Sequence, residues 1–258
     1  MKGAGTIAKF KKPLLFALSL LPIAVLAGIF VGRYQLDLYP AELIEELIAQ
    51  LGSTELLIVI GAVQTVGYAF ICGFAGYMLA DKLGLWKPVR FEQKPLLSTL
   101  VISAVGGIIL SLDYFTFGAV IDGIRESTAA GLTASGVIAS VLYGGIIEEV
   151  MLRLFFLSLI ALVIWKVFYR NCDSAHIPQR VFIAANIVAA VVFAAGHLPA
   201  IYATFGGLTP LLLIRCFLFN GGFGLVFGRL YRKYGIIYAM AGHTLFHIVS
   251  KIVWFLFI

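Results

Sequence analysis

Charged residues are scarce in this sequence, and their scarcity excludes most classes of soluble protein. Only 12% of the 258 residues are charged, whereas 61% are hydrophobic. A soluble globular domain carries about 25% charged residues, so we expect most of this chain to face lipid. Cysteine is also rare, and the three cysteines, Cys72, Cys172 and Cys216, show no C-x-x-C spacing. The sequence therefore predicts neither a disulfide framework nor a thiolate metal site.

Long polar segments are missing as well, and apolar runs long enough to cross a bilayer take their place. A helix needs roughly 20 apolar residues to span about 30 Å of hydrocarbon. Seven such runs lie at residues 13–31, 55–80, 96–112, 133–165, 181–197, 209–228 and 235–257. Because no internal repeat or long linker interrupts them, the sequence predicts one all-α membrane domain over residues 1–258. This domain is expected to be polytopic, with about seven transmembrane helices.

The basic residues alternate between loops, which accounts for the net charge of +6 without a nucleic-acid partner. They cluster before the first apolar run and after the second, fourth and sixth runs. The intervening loops are mainly acidic, with Asp37, Glu42, Glu45, Glu46, Asp113, Asp122 and Glu126. The clustered residues are Lys2, Lys9, Lys11, Lys12, Lys82, Lys87, Arg90, Lys94, Lys166, Arg170, Arg180, Arg229, Arg232 and Lys233. By the positive-inside rule we expect a cytoplasmic N-terminus and, with seven spans, an external C-terminus in a plasma membrane of bacterial type.

A few ionisable residues remain inside the apolar runs after the loops are assigned. Each of them costs several kcal/mol in hydrocarbon unless it is paired or faces a wet cavity, so together they predict a functional site in a buried polar cavity. Arg215 and Lys251 are expected to pair locally or to reach the interface with their long side chains. The full set is Glu148, Glu149, Arg153, His197, Arg215, His243, His247 and Lys251.

Helical spacing within the fourth run predicts that its two carboxylates have different partners. Glu149 and Arg153 lie at positions i and i+4, in the order that favours an ion pair on one helix face. Glu148 is rotated by about 100° around the helix axis and cannot share that guanidinium equally. We therefore expect Glu149 and Arg153 to form a supporting ion pair, and Glu148 to face another group.

Histidines supply the other polar groups that chemistry could use. His243 and His247 also lie at i and i+4, so both imidazoles project from one face of the last run. His197 ends the fifth run directly before Leu198 and Pro199, where a helix is expected to stop. Peptide hydrolysis needs a base beside the attacking water, a proton donor for the leaving amine and donors aimed at the oxyanion. Glu and His side chains can fill all three roles.

Three motifs in the second half of the chain closely resemble those of the CPBP intramembrane proteases. This family includes the type II CAAX prenyl endopeptidases and the bacteriocin-processing or Abi proteins. The three motifs occur in the family's order on separate predicted helices, within a family-like core at about residues 133–257. They are E-E-x-x-x-R at Glu148, Glu149 and Arg153, F-x-x-x-H at Phe193 and His197, and H-x-x-x-H at His243 and His247.

The resemblance implies an intramembrane endopeptidase of glutamate type that acts on a peptide or a membrane protein without a cofactor. It implies that Glu148 is the catalytic carboxylate and that His197 is its partner in activating a water molecule. His243 is implied to orient or stabilise the developing oxyanion, with help from the residue at the last motif position. That position is usually Asn in the CAAX endopeptidases and is His247 here, a departure that affects the expected role of this residue and the expected prenyl substrate.

Two alternative hypotheses use the same residues. Glu148, His197, His243 and His247 suit Zn²⁺ by ligand type, which would make the protein a zinc-dependent protease, although the H-E-x-x-H arrangement is absent. The buried Glu and His residues could instead relay protons in a transporter or support a non-catalytic membrane scaffold. The inverted repeats and paired broken helices common in transporters are not found in the sequence.

Overall fold

The structure, a computed structural model, describes residues 2–88, 90 and 92–258, with side chains from residue 10 onward. Within these ranges the chain is helical and forms no strand, which confirms the predicted all-α class. The α-helices are α1 (Lys2–Leu38), α2 (Ala41–Leu51), α3 (Thr54–Lys82), α4 (Gln93–Ser111), α5 (Ile124–Ala130), α6 (Ala134–Ala139), α7 (Ser158–Phe168), α8 (Gln179–Gly196), α9 (Leu198–Phe205), α10 (Pro210–Cys216), α11 (Gly222–Tyr234) and α12 (Ile236–Phe257). Short 3₁₀ turns cover Leu112–Tyr114, Phe117–Ala119 and Ser174–His176, and π-helical segments cover Ser140–Ile147, Val150–Leu157 and Phe217–Gly221.

Seven helical stretches of the described chain are long and apolar enough to cross a membrane, which confirms the predicted number. They are numbered spans 1 to 7 and cover Phe10–Leu38, Thr54–Lys82, Gln93–Ala119, Ala134–Phe168, Gln179–Phe205, Pro210–Tyr234 and Ile236–Phe257. Spans 5 and 6 extend well beyond the predicted runs. Span 5 is longer because the apolar helix α9 follows α8 directly. Span 6 is longer because its end carries polar residues such as Arg232, which lower the local hydropathy without ending the helix.

Successive spans run in opposite directions, and glycine allows the closest approaches. In spans 1 and 2, Phe10 stacks on Phe74 near one end, with ring centroids 6.1 Å apart. Near the other end a Cβ atom on Gly28 would lie 2.5 Å from the Cα of Ala62. The alternation brings the four Lys- and Arg-rich segments to one end of the bundle, which is called the basic face below.

Span 4 forms the centre of the bundle. It packs against α3, α8, α11 and α12, and its side chains Ile147, Val150, Leu154 and Leu157 are 0% exposed. A Cβ atom on Gly76 of α3 would lie 3.0 Å from Leu154, so the two helices approach each other closely at this glycine. This packing holds the middle of span 4, and the carboxylates it carries, away from lipid.

Two further sequence patterns concern helix packing. Pro40 followed by an amphipathic stretch predicts a short helix between the first two apolar runs, and small residues spaced at three and four in the glycine-rich run at residues 220–228 predict close helix packing. The segment between spans 1 and 2 forms the predicted helix α2, which follows Pro40 and has no buried residues. In span 6, the small residues at Gly224 and Gly228 pack closely against α8. A Cβ atom on Gly224 would lie 3.1 Å from the Cβ of Ala190, and one on Gly228 would overlap Asn186. Close helix packing through this glycine-rich run is therefore confirmed.

Candidate active site

The two carboxylates of span 4 lie at a local change in helix geometry. Glu148 and Glu149 separate two π-helical segments, Ser140–Ile147 and Val150–Leu157. The backbone N–H of Glu148 donates to the carbonyl of Tyr143, five residues earlier. Such π-helical turns are rare and occur frequently at functional sites. The helix backbone thus departs from regular α-geometry on both sides of the carboxylates.

Glu149 is completely buried and contacts two side chains through a single oxygen. Its Oε1 atom lies 3.1 Å from Nη1 of Arg153 and 2.9 Å from Nδ1 of His243. The ion pair with Arg153 is the one that helical spacing predicts, whereas the contact with His243 was not predicted. Because an ionised carboxylate only accepts hydrogen bonds, Nδ1 of His243 is the donor. Glu149 therefore links span 4 to span 7.

Arg153 is also buried, with 2% of its side chain exposed, and it contacts three spans. Its Nη2 atom donates to the carbonyl of Gly224 at 3.2 Å, and its guanidinium carbon lies 4.6 Å from the ring centroid of Phe193 and 5.9 Å from that of Phe227. The contact of Nη1 with Glu149 is close enough for a strong charge interaction, but its angle is not that of a hydrogen bond. Arg153 thus joins spans 4, 5 and 6 around Glu149.

Glu148 faces a different histidine. Its Oε1 atom lies 4.0 Å from Nε2 of His197, and the two side chains are 17% and 32% exposed, respectively. Nδ1 of His197 lies 2.8 Å from the carbonyl oxygen of Phe193. A carbonyl oxygen only accepts, so Nδ1 carries the hydrogen and a neutral His197 presents the lone pair of Nε2 to Glu148.

His197 occupies the junction between two helices. Helix α8 ends at Gly196, as predicted, and α9 begins immediately afterwards at Leu198. Pro199 lies in the first turn of α9, where a missing N–H donor costs nothing. The new helix was not predicted, because a proline that ends one helix is equally compatible with the first turn of the next.

The two histidines of span 7 stack on each other beside span 4. The ring centroids of His243 and His247 are 4.8 Å apart, and His243 stacks on its other side against Phe227 at 4.4 Å. A Cβ atom on Gly144 would lie 2.9 Å from Nε2 of His247, so glycine at this position gives the imidazole room against span 4. His243 contacts Glu149, and its stacked neighbour His247 lies one helical turn further along span 7.

Arg215 is paired, as expected, but with an unexpected residue. Its guanidinium binds both carboxylate oxygens of Asp113, with N–O distances of 2.6 to 3.0 Å. The sequence pattern placed Asp113 in an acidic loop, which was wrong, because a 3₁₀ turn continues span 3 and leaves Asp113 only 1% exposed. The ammonium of Lys251 lies 5.1 Å from the ring centroid of Trp254.

The four residues that the sequence offered as zinc ligands do not converge on one point. Tetrahedral zinc needs donor atoms about 2.0–2.3 Å from a common centre. Nδ1 of His243 is bound to Glu149, and the rings of His243 and His247 face each other in a stack. In the part of the chain that the structure describes, no three His, Cys, Asp or Glu side chains are grouped so that they could hold a metal ion. As arranged, Glu148, His197, His243 and His247 do not fit a zinc centre.

Fold and site together define a polytopic helical membrane protein with a buried Glu–Arg–His cluster and a partly exposed Glu–His pair. Residues 130–249 match the family model described as type II CAAX prenyl endopeptidase Rce1-like. The match contains all three motifs, confirms the resemblance to the CPBP family and supports a CAAX-type intramembrane protease in general terms. No curated protein and no solved structure shows a significant match to the chain.

Proposed function

We propose that this protein is an intramembrane endopeptidase that hydrolyses a peptide bond with a water molecule activated by Glu148 and His197. The observation that carries the proposal is the 4.0 Å separation between Oε1 of Glu148 and Nε2 of His197, both on partly exposed side chains. The family match over residues 130–249 supports the same class of reaction. The substrate is a peptide segment of a membrane-associated protein.

The separation of these two atoms suits a shared water better than a direct hydrogen bond. Two acceptors 4.0 Å apart can both accept from one water that lies about 2.8 Å from each, with an angle of about 90° at its oxygen. The water then donates one hydrogen bond to the ionised carboxylate of Glu148 and one to the lone pair on Nε2 of His197. This raises the nucleophilicity of the water oxygen.

In the proposed reaction, the water oxygen attacks the carbonyl carbon of the scissile bond while one of its protons moves to Glu148. The tetrahedral intermediate then breaks its C–N bond, and the same proton passes to the amine nitrogen that leaves. The products are a new carboxyl terminus and a new amino terminus. Glu148 therefore serves first as the base and then as the acid.

The stacked histidines of span 7 are assigned to the oxyanion of the intermediate. Since Nδ1 of His243 donates to Glu149, Nε2 of this ring becomes a donor only when the imidazole is protonated, and the charge of Glu149 stabilises that form. His247 can donate a hydrogen bond from its neutral ring. The Asn found at this position in the CAAX endopeptidases would donate one from its amide. Two donors beside a developing negative charge are a strong source of catalysis in a largely buried site of low dielectric constant.

Cleavage of a quenched fluorescent peptide library by the detergent-purified protein and its Glu148→Gln variant tests the proposal. Metal content is measured on the same samples, and cleavage is repeated after chelation. We expect cleavage that survives metal removal and falls at least about 100-fold in the variant. Equal cleavage by both proteins would overturn the role of Glu148, and cleavage that tracks bound zinc would assign ligand roles to the histidines. Proton transport in liposomes without cleavage of any peptide would favour the transporter hypothesis.

The basic face is proposed to be the cytoplasmic side, because loops rich in Lys and Arg are retained there. Cys172 lies in the loop between spans 4 and 5 on this face and is partly exposed. A membrane-impermeant thiol reagent should therefore label Cys172 only after cells are lysed. A cysteine introduced at Ser53, at the opposite end of the bundle, should be labelled in intact cells. The reverse labelling pattern would invert the proposed orientation.

A further inference from the structure

A cavity outside the candidate active site opens at the basic face. It measures about 850 Å³ and lies between the residues that follow α3, the first half of α8 and one side of α11. It is lined by Leu83, Gly84, Leu85, Gln179, Phe182, Ile183, Asn186, Leu225, Val226, Arg229, Arg232 and Lys233. None of the residues assigned to catalysis lines it.

The lining is positively charged without compensation. Arg229, Arg232 and Lys233 contribute three cations, and the lining includes no carboxylate. Within the described ranges, none of the three forms an ion pair with Asp or Glu within 4.0 Å. A cleft lined by several cations and no carboxylate has a positive potential that favours an anion.

A fourth cation lies next to the cavity and is already occupied. The ammonium of Lys87 donates to the backbone carbonyls of Arg232 and Lys233 at 2.7 Å, which satisfies the free carbonyls at the end of α11. Burial, together with the charge of Arg232, lowers the pKa of Lys87. The contact holds the end of α11 in place through backbone carbonyls and does not engage the side chains of Arg232 and Lys233. The Lys233 ammonium lies 4.9 Å from the ring centroid of Tyr234, a contact that leaves its charge unneutralised.

The remainder of the wall is mainly apolar and includes two neutral polar residues, Gln179 and Asn186. Phe182 and Ile183 from α8 face Leu225 and Val226 from α11, and Leu83 and Leu85, which follow α3, complete the wall. The helices are held at this spacing by Asn186, whose amide donates to the carbonyl of Leu225 at 3.0 Å. An occupant must therefore present negative charge at the membrane surface and hydrocarbon below it.

We propose that this cavity binds the phosphate headgroup and the upper acyl chains of an anionic phospholipid. Basic pockets between transmembrane helices at the face rich in Lys and Arg have the charge and position to hold such headgroups. The apolar wall favours a lipid over free phosphate, because a free anion would leave this hydrocarbon surface without a partner. The inference does not depend on the peptidase assignment.

Native mass spectrometry of the full-length protein, titrated with phosphatidylglycerol or phosphatidylcholine, measures this binding. The test variant is Arg229→Gln/Arg232→Gln/Lys233→Gln. The matched control is Lys11→Gln/Lys12→Gln/Arg170→Gln, which removes three exposed charges from the same face outside the cavity. We expect the wild type to prefer phosphatidylglycerol, and the test variant to lose roughly fivefold in affinity for each charge removed. The control should stay within about twofold of the wild type.

Three outcomes would overturn the proposal: equal binding of the two lipids, equal losses in the two triple variants, or displacement of the lipid by equimolar inorganic phosphate. The last outcome would assign the cavity to a free anion. Thermal unfolding in detergent checks that each variant folds. If the test variant does not fold, Arg229→Gln alone, at an exposed side chain, should lose about fivefold, and no loss there contradicts the proposal.

Discussion

Nε2 of His197 lies 4.0 Å from Oε1 of Glu148 across the interface between spans 5 and 4. The hydrogen bond from Nδ1 to Phe193 fixes which nitrogen faces the carboxylate, and the helix junction at His197 places the ring at the end of α8. One partner thus comes from a helix break and the other from a helix with π-geometry on both sides. Both side chains retain some exposure, whereas the neighbouring Glu149 has none.

Replacing His197 should mainly affect catalysis. His197→Gln removes the imidazole lone pair that helps to hold the attacking water, so we expect kcat to fall by about 10²- to 10⁴-fold. Loss of the hydrogen bond to Phe193 should lower the free energy of unfolding by only about 1 kcal/mol. Peptide cleavage and thermal unfolding in detergent measure the two effects separately.

The matched control for this change is His176→Gln. The ring of His176 is 79% exposed and contacts Asp173 in the loop between spans 4 and 5. This variant should keep both its cleavage rate and its thermal stability. If His197→Gln cleaves as fast as the control, His197 has no part in the reaction.

Arg153 should matter chiefly for stability. Arg153→Met leaves the buried charge of Glu149 without its cation and is expected to cost about 3–5 kcal/mol. The double variant Arg153→Met/Glu149→Gln removes the unpaired charge as well, so it should be less destabilised than the sum of the two single variants. Thermal unfolding of all four proteins of this cycle measures the coupling. Strictly additive losses would show that the 3.1 Å contact carries no net interaction energy.

Two glycines of span 6 should differ sharply on substitution. A Cβ atom on Gly228 would overlap Oδ1 of Asn186 and lie 2.7 Å from its Cγ, while the Asn186 amide is held by the carbonyl of Leu225. Gly228→Ala should therefore cost about 1–3 kcal/mol. Gly222→Ala meets nothing within 4 Å and should be neutral or slightly stabilising, because alanine favours the helix. Equal thermal stability of the two variants would contradict the packing of α11 on α8.

The number of spans and the ion pair within span 4 follow from the sequence because both depend on local properties. Hydropathy over about 20 residues identifies a span, and a separation of four residues places Glu149 and Arg153 on one helix face. The contact between Glu149 and His243 could not be predicted in this way. It depends on the relative depth of spans 4 and 7, which is set where Gly144 and its neighbours pack against span 7.

The burial of Asp113 and the helix after His197 were missed for a similar reason. A single Asp between apolar runs has the composition of a loop, and only its partner Arg215, 102 residues away, explains its burial. Pro199 indicates a helix end but not the helix that follows. The three motifs predicted which residues come from spans 4, 5 and 7, while tertiary packing decided which of them are in contact.

A side-by-side comparison of Glu148→Gln and Glu149→Gln tests the central claim most directly. Both variants are measured for cleavage of a peptide identified from the library and for thermal unfolding. We predict that Glu148→Gln keeps its stability and loses at least about 100-fold in kcat. We predict that Glu149→Gln loses about 3–5 kcal/mol of stability, because Arg153 is left buried without its anion. Full cleavage by Glu148→Gln, together with a stable but inactive Glu149→Gln, would contradict the assignment.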